Sequence, residues 1–282
     1  MVPLPQKIGV IGAGRMGVGI AQLFLEHGFS VLLYDTAPAL LQRAEQKLKE
    51  RLWREDAPLG DQSPEEILEN LTLAESLSAF HLCDFVVEAI FESYEAKETL
   101  LARCHTFLSP DTLFVTNTSS LSVTRLAQKA PNPHRFLGFH FMNPASRIPL
   151  VELIRTSETE DNAVQTCQEL ALFLGKTVIF SHDAPAFVLN RLLIPMINEA
   201  ILALEERIAT AEDIDTALTA GAQHPIGPLS LADFIGLDVV LAILKTLQEE
   251  RGEKYRPSAL LEDLVKRGHL GRKSGKGFFS YD

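Results

Sequence analysis

Residues 7–35 read as one unit. A short apolar run, Lys7–Ile11, leads into Gly12-Ala13-Gly14-Arg15-Met16-Gly17, a helical pattern follows over Met16–His27, and a second apolar run, Ser30–Tyr34, ends on Asp35. The spacing G-x-G-x-x-G is informative only in this setting, directly after a strand and opening a helix. There Gly12 permits a tight turn, Gly14 lets the backbone approach a pyrophosphate, and Gly17 lets the helix pack closely. Arg15 and Met16 fill the first helical turn, whose free N–H groups and dipole favour an anion. Asp35 stands about 20 residues past the last glycine, where a carboxylate accepts from the adenosine ribose hydroxyls and repels a 2′-phosphate. Thr36 and Ala37 bring no arginine to reverse that preference. The unit predicts binding of NAD; a plain glycine-rich turn and an Asp capping a helix start are the alternatives.

The alternation continues to about residue 180. Strand-like runs recur at Phe85–Glu88, Leu113–Thr116, Phe136–Phe141, Leu150–Ile154 and Thr177–Phe180, with helical patterns at Ala39–Arg54, Tyr94–Phe107, Leu121–Gln128 and Asn162–Leu174. This order predicts an α/β fold, a doubly wound, Rossmann-like parallel sheet with helices on both faces. After Asp183-Ala184-Pro185 the strand signals stop. Leu189, Leu192, Leu193, Met196, Ile197 and Ala200 mark one helix face, and Leu229, Phe234, Leu237, Val240 and Leu241 another. Two domains are therefore expected: an NAD-binding domain over residues 1–184 and an all-α domain over residues 185–282, which also suits the limit on the size of a single core.

A formal net charge of −11 argues against a nucleic-acid partner. The three cysteines, Cys83, Cys104 and Cys167, have no C-x-x-C spacing and an odd count, so neither a disulfide framework nor a metal site is expected. A reducing, cytoplasmic setting fits. The N-terminus lacks the pattern of a signal peptide, and the most apolar long stretch, Phe187–Leu204, is interrupted by Asn190, Arg191, Asn198 and Glu199, so no membrane span is predicted. One cationic cluster stands out in the first half: Lys47, Lys49, Arg51 and Arg54, interleaved with Glu45, Glu50 and Glu55. It reads equally as an anion-binding surface and as a solvated helix face.

Gly138-Phe139-His140-Phe141-Met142-Asn143-Pro144 places a histidine at the carboxyl end of a strand, the end that faces the ligand crevice in an open α/β sheet. Glu152 lies inside the apolar run Leu150–Ile154, where a carboxylate is costly to bury unless paired. The segment Pro144–Pro149 is short enough to bring the two strands together. A His140–Glu152 pair would fix the imidazole tautomer and stabilise the imidazolium formed on accepting a proton. A core histidine and an edge-facing Glu are the bland alternatives.

In this order, several segments resemble the L-3-hydroxyacyl-CoA dehydrogenase family, especially the free-standing bacterial 3-hydroxybutyryl-CoA dehydrogenases. They are Gly9–Gly14, Asn117-Thr118-Ser119-Ser120-Leu121, the His140 segment, Asn190-Arg191-Leu192-Leu193, Glu212-Asp213-Ile214-Asp215, Gly227-Pro228-Leu229 and Gly271–Phe278. The resemblance covers essentially the whole chain. It implies NAD-dependent oxidation of a short (S)-3-hydroxyacyl-CoA, with His140 as general base, Glu152 as its partner and the active site where the two domains meet. It also implies that Ser119 bonds the substrate 3-oxygen or the nicotinamide carboxamide, that Asn190 helps to hold the reacting oxygen, that Asn143 lines the nicotinamide pocket, and that Glu92 and Lys97 sit on the cofactor ribose. A homodimer through the C-terminal domain is implied as well. The chain departs from the family's usual pattern at Met142, at Ile148-Pro149 and over Trp53–Gly60, where relatives are often lysine-rich.

Overall fold

A computed structural model describes residues 3–54 and 62–281. The chain forms two compact units, Met1–Ala184 and Pro185–Asp282.

The first unit is built on an eight-stranded sheet. Its strands are β1 Lys7–Ile11, β2 Ser30–Tyr34, β3 Leu71–Leu73, β4 Phe85–Glu88, β5 Leu113–Thr116, β6 Phe136–Phe141, β7 Leu150–Arg155 and β8 Thr177–His182, in the order β3-β2-β1-β4-β5-β6-β7-β8. The helices are α1 Arg15–Glu26, α2 Pro38–Leu52, α3 Pro64–Glu69, α4 Tyr94–Cys104, α5 Val123–Ala127 and α6 Asp161–Phe173. β1, β4, β5 and β6 are apolar almost throughout because both sheet faces are covered, as parallel strands require. The α1 face carries Phe24 into a cluster with Phe85 and Phe141, and Phe139 stacks beside them. Chain order reverses direction between β1 and β4, so a crevice opens at their carboxyl ends, where Gly12 and Ala89 lie.

The α/β fold expected from the sequence is what forms, with two differences in the sheet. β3 was not anticipated; three residues, Leu-Thr-Leu, are too few to show a period. β7 runs antiparallel to β6, and β8 follows β7, so the sheet is mixed rather than wholly parallel. The connection Pro144–Pro149 dictates this, since a parallel return needs a crossover of a dozen or more residues. α4 stops at Cys104, not Phe107, and α5 is confined to Val123–Ala127 because Ser122 caps it, accepting from Arg125 N–H.

The second unit is helical: α7 Leu189–Glu205, α8 Ala211–Thr216, α9 Pro228–Ile235, α10 Leu237–Arg251 and α11 Ala259–Lys266. Ile194, Ile197 and Ile201 of α7 pack with Leu229, Leu237, Val240, Leu244 and Leu247. The buried stripe of α7 shares Ile197 with the face read in the sequence, whose Leu193 and Ala200 pack against it, and adds Ile194 and Ile201. Leu192 is 69% exposed and Phe234 47% exposed, although both mark apolar helix faces in the sequence. Two buried aspartates brace the connections: Asp215 accepts from Leu229 and Ser230 N–H at 2.8 and 3.0 Å, and Asp233 accepts from Phe278 and Phe279 N–H and from the Tyr281 hydroxyl. A Cβ at Gly277 would fall on the Asp233 carboxylate, so glycine is needed for the terminal turn to close over it.

Candidate active site

The glycine loop leaves β1 at the crevice. Gly12 has φ +111°, and a Cβ there would collide with the Ala89 carbonyl; a Cβ on Gly17 would lie 1.7 Å from the Gly12 carbonyl oxygen. Around Gly14 the space is open, and α1 begins there with no side-chain cap on its N–H groups. Arg15 is exposed, while Met16 packs partly against the main core. The Asp35 carboxylate accepts from Ala13 N–H at 2.9 Å and from Ala37 N–H at 2.9 Å, so it ties the loop to the end of β2. Gly12, Gly14 and Asp35 line a cavity of about 760 Å³ together with Ala89, Phe91 and Thr99. A bare helix N-terminus for a pyrophosphate and a carboxylate for a ribose, both opening on one cavity, fit a dinucleotide.

At the carboxyl end of β6, His140 pairs across the ladder with Glu152 of β7. Nδ1 lies 2.8 Å from Glu152 Oε2, and Nε2 lies 3.1 Å from Ser119 Oγ. His140 is 3% exposed and Glu152 0%. A carboxylate only accepts, so Nδ1 carries a proton, and Nε2 is the ring nitrogen on the Ser119 side. Asn143 is exposed in the turn after β6. Asn190, half-buried in the first turn of α7, belongs to the second unit.

Glu92 and Lys97 form part of a further cluster. Glu92 Oε1 accepts from Thr118 Oγ1 at 2.7 Å, Ser119 N–H at 2.9 Å, and Ser120 N–H and Oγ, each at 3.0 Å. Burial pushes its pKa up, but the Lys97 charge and these hydrogen bonds outweigh it and hold the group below its ordinary value. The Lys97 ammonium is 2.6 Å from Glu88 and 3.5 Å from Glu92. Glu88, 1% exposed, also accepts from Thr116 Oγ1 at 2.6 Å and Ile90 N–H at 2.8 Å. Sequence reading passed over Glu88. Its signal was close to the one that singled out Glu152: a carboxylate within an apolar strand.

Comparison with known proteins settles the family. Residues 7–184 match the NAD binding domain of 3-hydroxyacyl-CoA dehydrogenase, and residues 187–281 match the C-terminal domain of the same family. The chain belongs to the 3-hydroxyacyl-CoA dehydrogenase family. A probable 3-hydroxybutyryl-CoA dehydrogenase of Deinococcus radiodurans is 44% identical over 98% of this chain and 100% of its own length. Among solved structures, FadB2 of M. tuberculosis superposes with a TM-score of 0.96 at 36% identity, covering 99% of this chain and 100% of that one. The (S)-3-hydroxybutyryl-CoA dehydrogenase PaaH1 of Ralstonia eutropha gives 0.93 at 38% identity, covering 99% of each chain. As a member of this family the chain is an NAD-dependent dehydrogenase, and its first unit is the NAD-binding domain.

Several family segments are structural. Asp215 and Gly227-Pro228-Leu229 meet in one helix cap, and Gly271–Phe278 closes on Asp233. Asp183, which sequence reading did not single out, accepts from Ser122 Oγ and from Val123 and Thr124 N–H, fixing α5.

Proposed function

We propose that the chain interconverts short (S)-3-hydroxyacyl-CoA and 3-ketoacyl-CoA esters, with the 3-hydroxybutyryl and acetoacetyl esters as the preferred pair. The observation that carries this reading is the Glu152–His140–Ser119 array, with separations of 2.8 and 3.1 Å, in which the His140–Glu152 pair is buried and Ser119 half-buried. Bound NAD would supply the acceptor for the hydride on the carbon that bears the hydroxyl. His140 Nε2 takes the hydroxyl proton, Glu152 stabilises the imidazolium that results, and Ser119 Oγ orients the reacting oxygen. In the reverse direction His140 returns the proton. Asn190 is proposed to hold the same oxygen, Asn143 to line the nicotinamide side, and Glu92 with Lys97 to receive the adjacent ribose.

A CoA ester suits the cationic cluster in part. Lys49 is spent on Glu45 at 2.7 Å, the solvated-face alternative, but Arg51 turns inward and donates to Gln22 Oε1 at 3.1 Å. Burial first, and then the nearby charge of Arg54, with smaller contributions from Arg147 and Arg15, hold the Arg51 pKa down against the opposing charge of Glu26. Such a gathering of like charges is a place for phosphates. Of the segment Trp53–Gly60, residues 55–60 lie outside those described, as does Glu55 of the cluster.

The second unit leaves the large apolar side chains of Val188, Leu192, Ile208, Phe234 and Val239 exposed, which supports a homodimer through this unit. Free cysteines suit a cytoplasmic setting, and no helix among the described residues is long and apolar enough to cross a membrane.

Oxidation of NADH is the test, measured with acetoacetyl-CoA, longer 3-ketoacyl-CoAs and free acetoacetate. The expected result is turnover of the esters, fastest with acetoacetyl-CoA. Turnover of acetoacetate without turnover of acetoacetyl-CoA would assign the chain to free hydroxy acids instead.

A further inference from the structure

Ser119 depends on its neighbours for its place beside His140. The turn that carries it, Thr118-Ser119-Ser120, is gathered by one oxygen of one carboxylate: Glu92 Oε1 takes four donors from these three residues at 2.7 to 3.0 Å. Thr118 Oγ1 in turn accepts from Leu121 N–H at 3.0 Å, and Thr118 N–H donates to Thr116 Oγ1 at 3.3 Å. Thr116 Oγ1 donates to Glu88, and Glu88 holds Lys97, whose ammonium faces Glu92 Oε2. Both ends of the serine turn are thus traced to a buried Glu88–Lys97 pair, one through Thr116 and the other through Glu92.

We propose that Glu92 is a positioning residue for proton transfer, setting Ser119 Oγ against His140 Nε2, and that Glu88 acts behind it through Lys97. This rests on the reading of His140 and Ser119 given above, and it goes beyond a ribose contact. With four donors on it, Oε1 has no capacity left for a ribose hydroxyl; Oε2 is the oxygen that can meet one. One carboxylate then serves two neighbours, the cofactor on one oxygen and the serine turn on the other. The Lys97 charge and the hydrogen bonds keep it ionised, which the four short contacts require.

The test compares Glu92→Ala in the original protein and in a Ser119→Ala background, with NADH affinity measured separately by fluorescence. If Glu92 acts through Ser119, its loss lowers kcat by about 10- to 100-fold in the first case and by less than about threefold in the second. Should Glu92→Ala fail to fold, Thr118→Val removes one of the four donors and takes its place in the same two-background comparison, with a smaller effect of the same sign. Equal losses in both backgrounds, or a change confined to the KM for NADH, would overturn the proposal while leaving the role of Ser119 intact. Ser119→Ala with an unchanged kcat would instead remove the reading on which the proposal rests.

Discussion

Each unit of the molecule buries carboxylates that face family-signature segments, and they do different things. Glu152 is fully buried and faces His140; Asp233 is 1% exposed and faces Phe278 N–H, Phe279 N–H and the Tyr281 hydroxyl. The desolvation cost is of the same kind in both places, and in both it is offset by charge-assisted hydrogen bonds. The difference lies in the donors. Peptide N–H groups never titrate near neutrality, and burial together with Asp233 pushes the Tyr281 phenol up to about 12, so that set of donors is permanent. An imidazole can gain and lose a proton in the range where enzymes work. A buried carboxylate with fixed donors is a structural brace, and one beside a histidine is a means of storing charge.

The largest expected effect tests that division directly. His140→Ala should lower kcat by roughly 10²–10⁴-fold while NADH still binds, because the glycine loop and Asp35 lie elsewhere on the sheet. Glu152→Gln retains shape but removes the charge that stabilises imidazolium, so kcat should fall by less, and the double substitution should cost less than the product of the two. Steady-state rates with acetoacetyl-CoA and a fluorescence titration with NADH are sufficient. A folded His140→Ala protein with near-original turnover would reduce Glu152 to a brace like Asp233.

The converse holds for the second unit. Asp233→Ala strands two N–H groups and a hydroxyl in a closed turn and should cost on the order of 3 kcal/mol of stability, seen as a lower unfolding midpoint in denaturant. Asp215→Ala removes a helix cap and should cost about 1–2 kcal/mol. In both variants, turnover per folded molecule should stay within about tenfold of the original, since neither residue holds a titrating partner. A loss of kcat as deep as that of His140→Ala without a loss of stability would erase the distinction.

How much of this was legible in the sequence follows the same physics. The alternation of buried strands with amphipathic helices is a long, repeated signal, and the α/β sheet it implied is present. Weak or short signals failed: β3 has three residues, and the direction of β7 depends on a connection rather than on any strand residue. On α7, apolar residues surround much of the helix, so periodicity marked the buried stripe only in part; Ile197 is buried and Leu193 and Ala200 pack against the core, but Leu192 is exposed while Ile194 and Ile201, outside the marked face, are buried. In the site, His140 and Glu152 could be paired on paper because one short turn separates their strands. The Glu88–Lys97–Glu92 cluster could not, because its members converge through the crossing of β4, α4 and β5, which no local spacing encodes.

The smallest expected effect concerns Asp35, which stands between the two kinds of carboxylate. Like Asp233 it is held by backbone N–H groups, from Ala13 and Ala37, yet it lines the open cavity beside Gly12 and Gly14 and is only half-buried. It should therefore show both behaviours at once. As a charge on the cavity wall it is proposed to accept from ribose hydroxyls and repel a 2′-phosphate, so kcat/KM with NADH should exceed that with NADPH by more than about tenfold, or about 1.4 kcal/mol. As a brace it holds Ala13, within the glycine loop, against the end of β2. Asp35→Asn removes the charge but keeps one acceptor oxygen, so it should narrow the cofactor preference with little loss of NADH affinity. Asp35→Ala removes both loop bonds, so it should narrow the preference and weaken NADH binding as well. Titrating each variant with both cofactors separates the two roles. Equal efficiency with NADH and NADPH in the unmodified protein would show that Asp35 is a brace alone, placed with Asp215 and Asp233 rather than with Glu152.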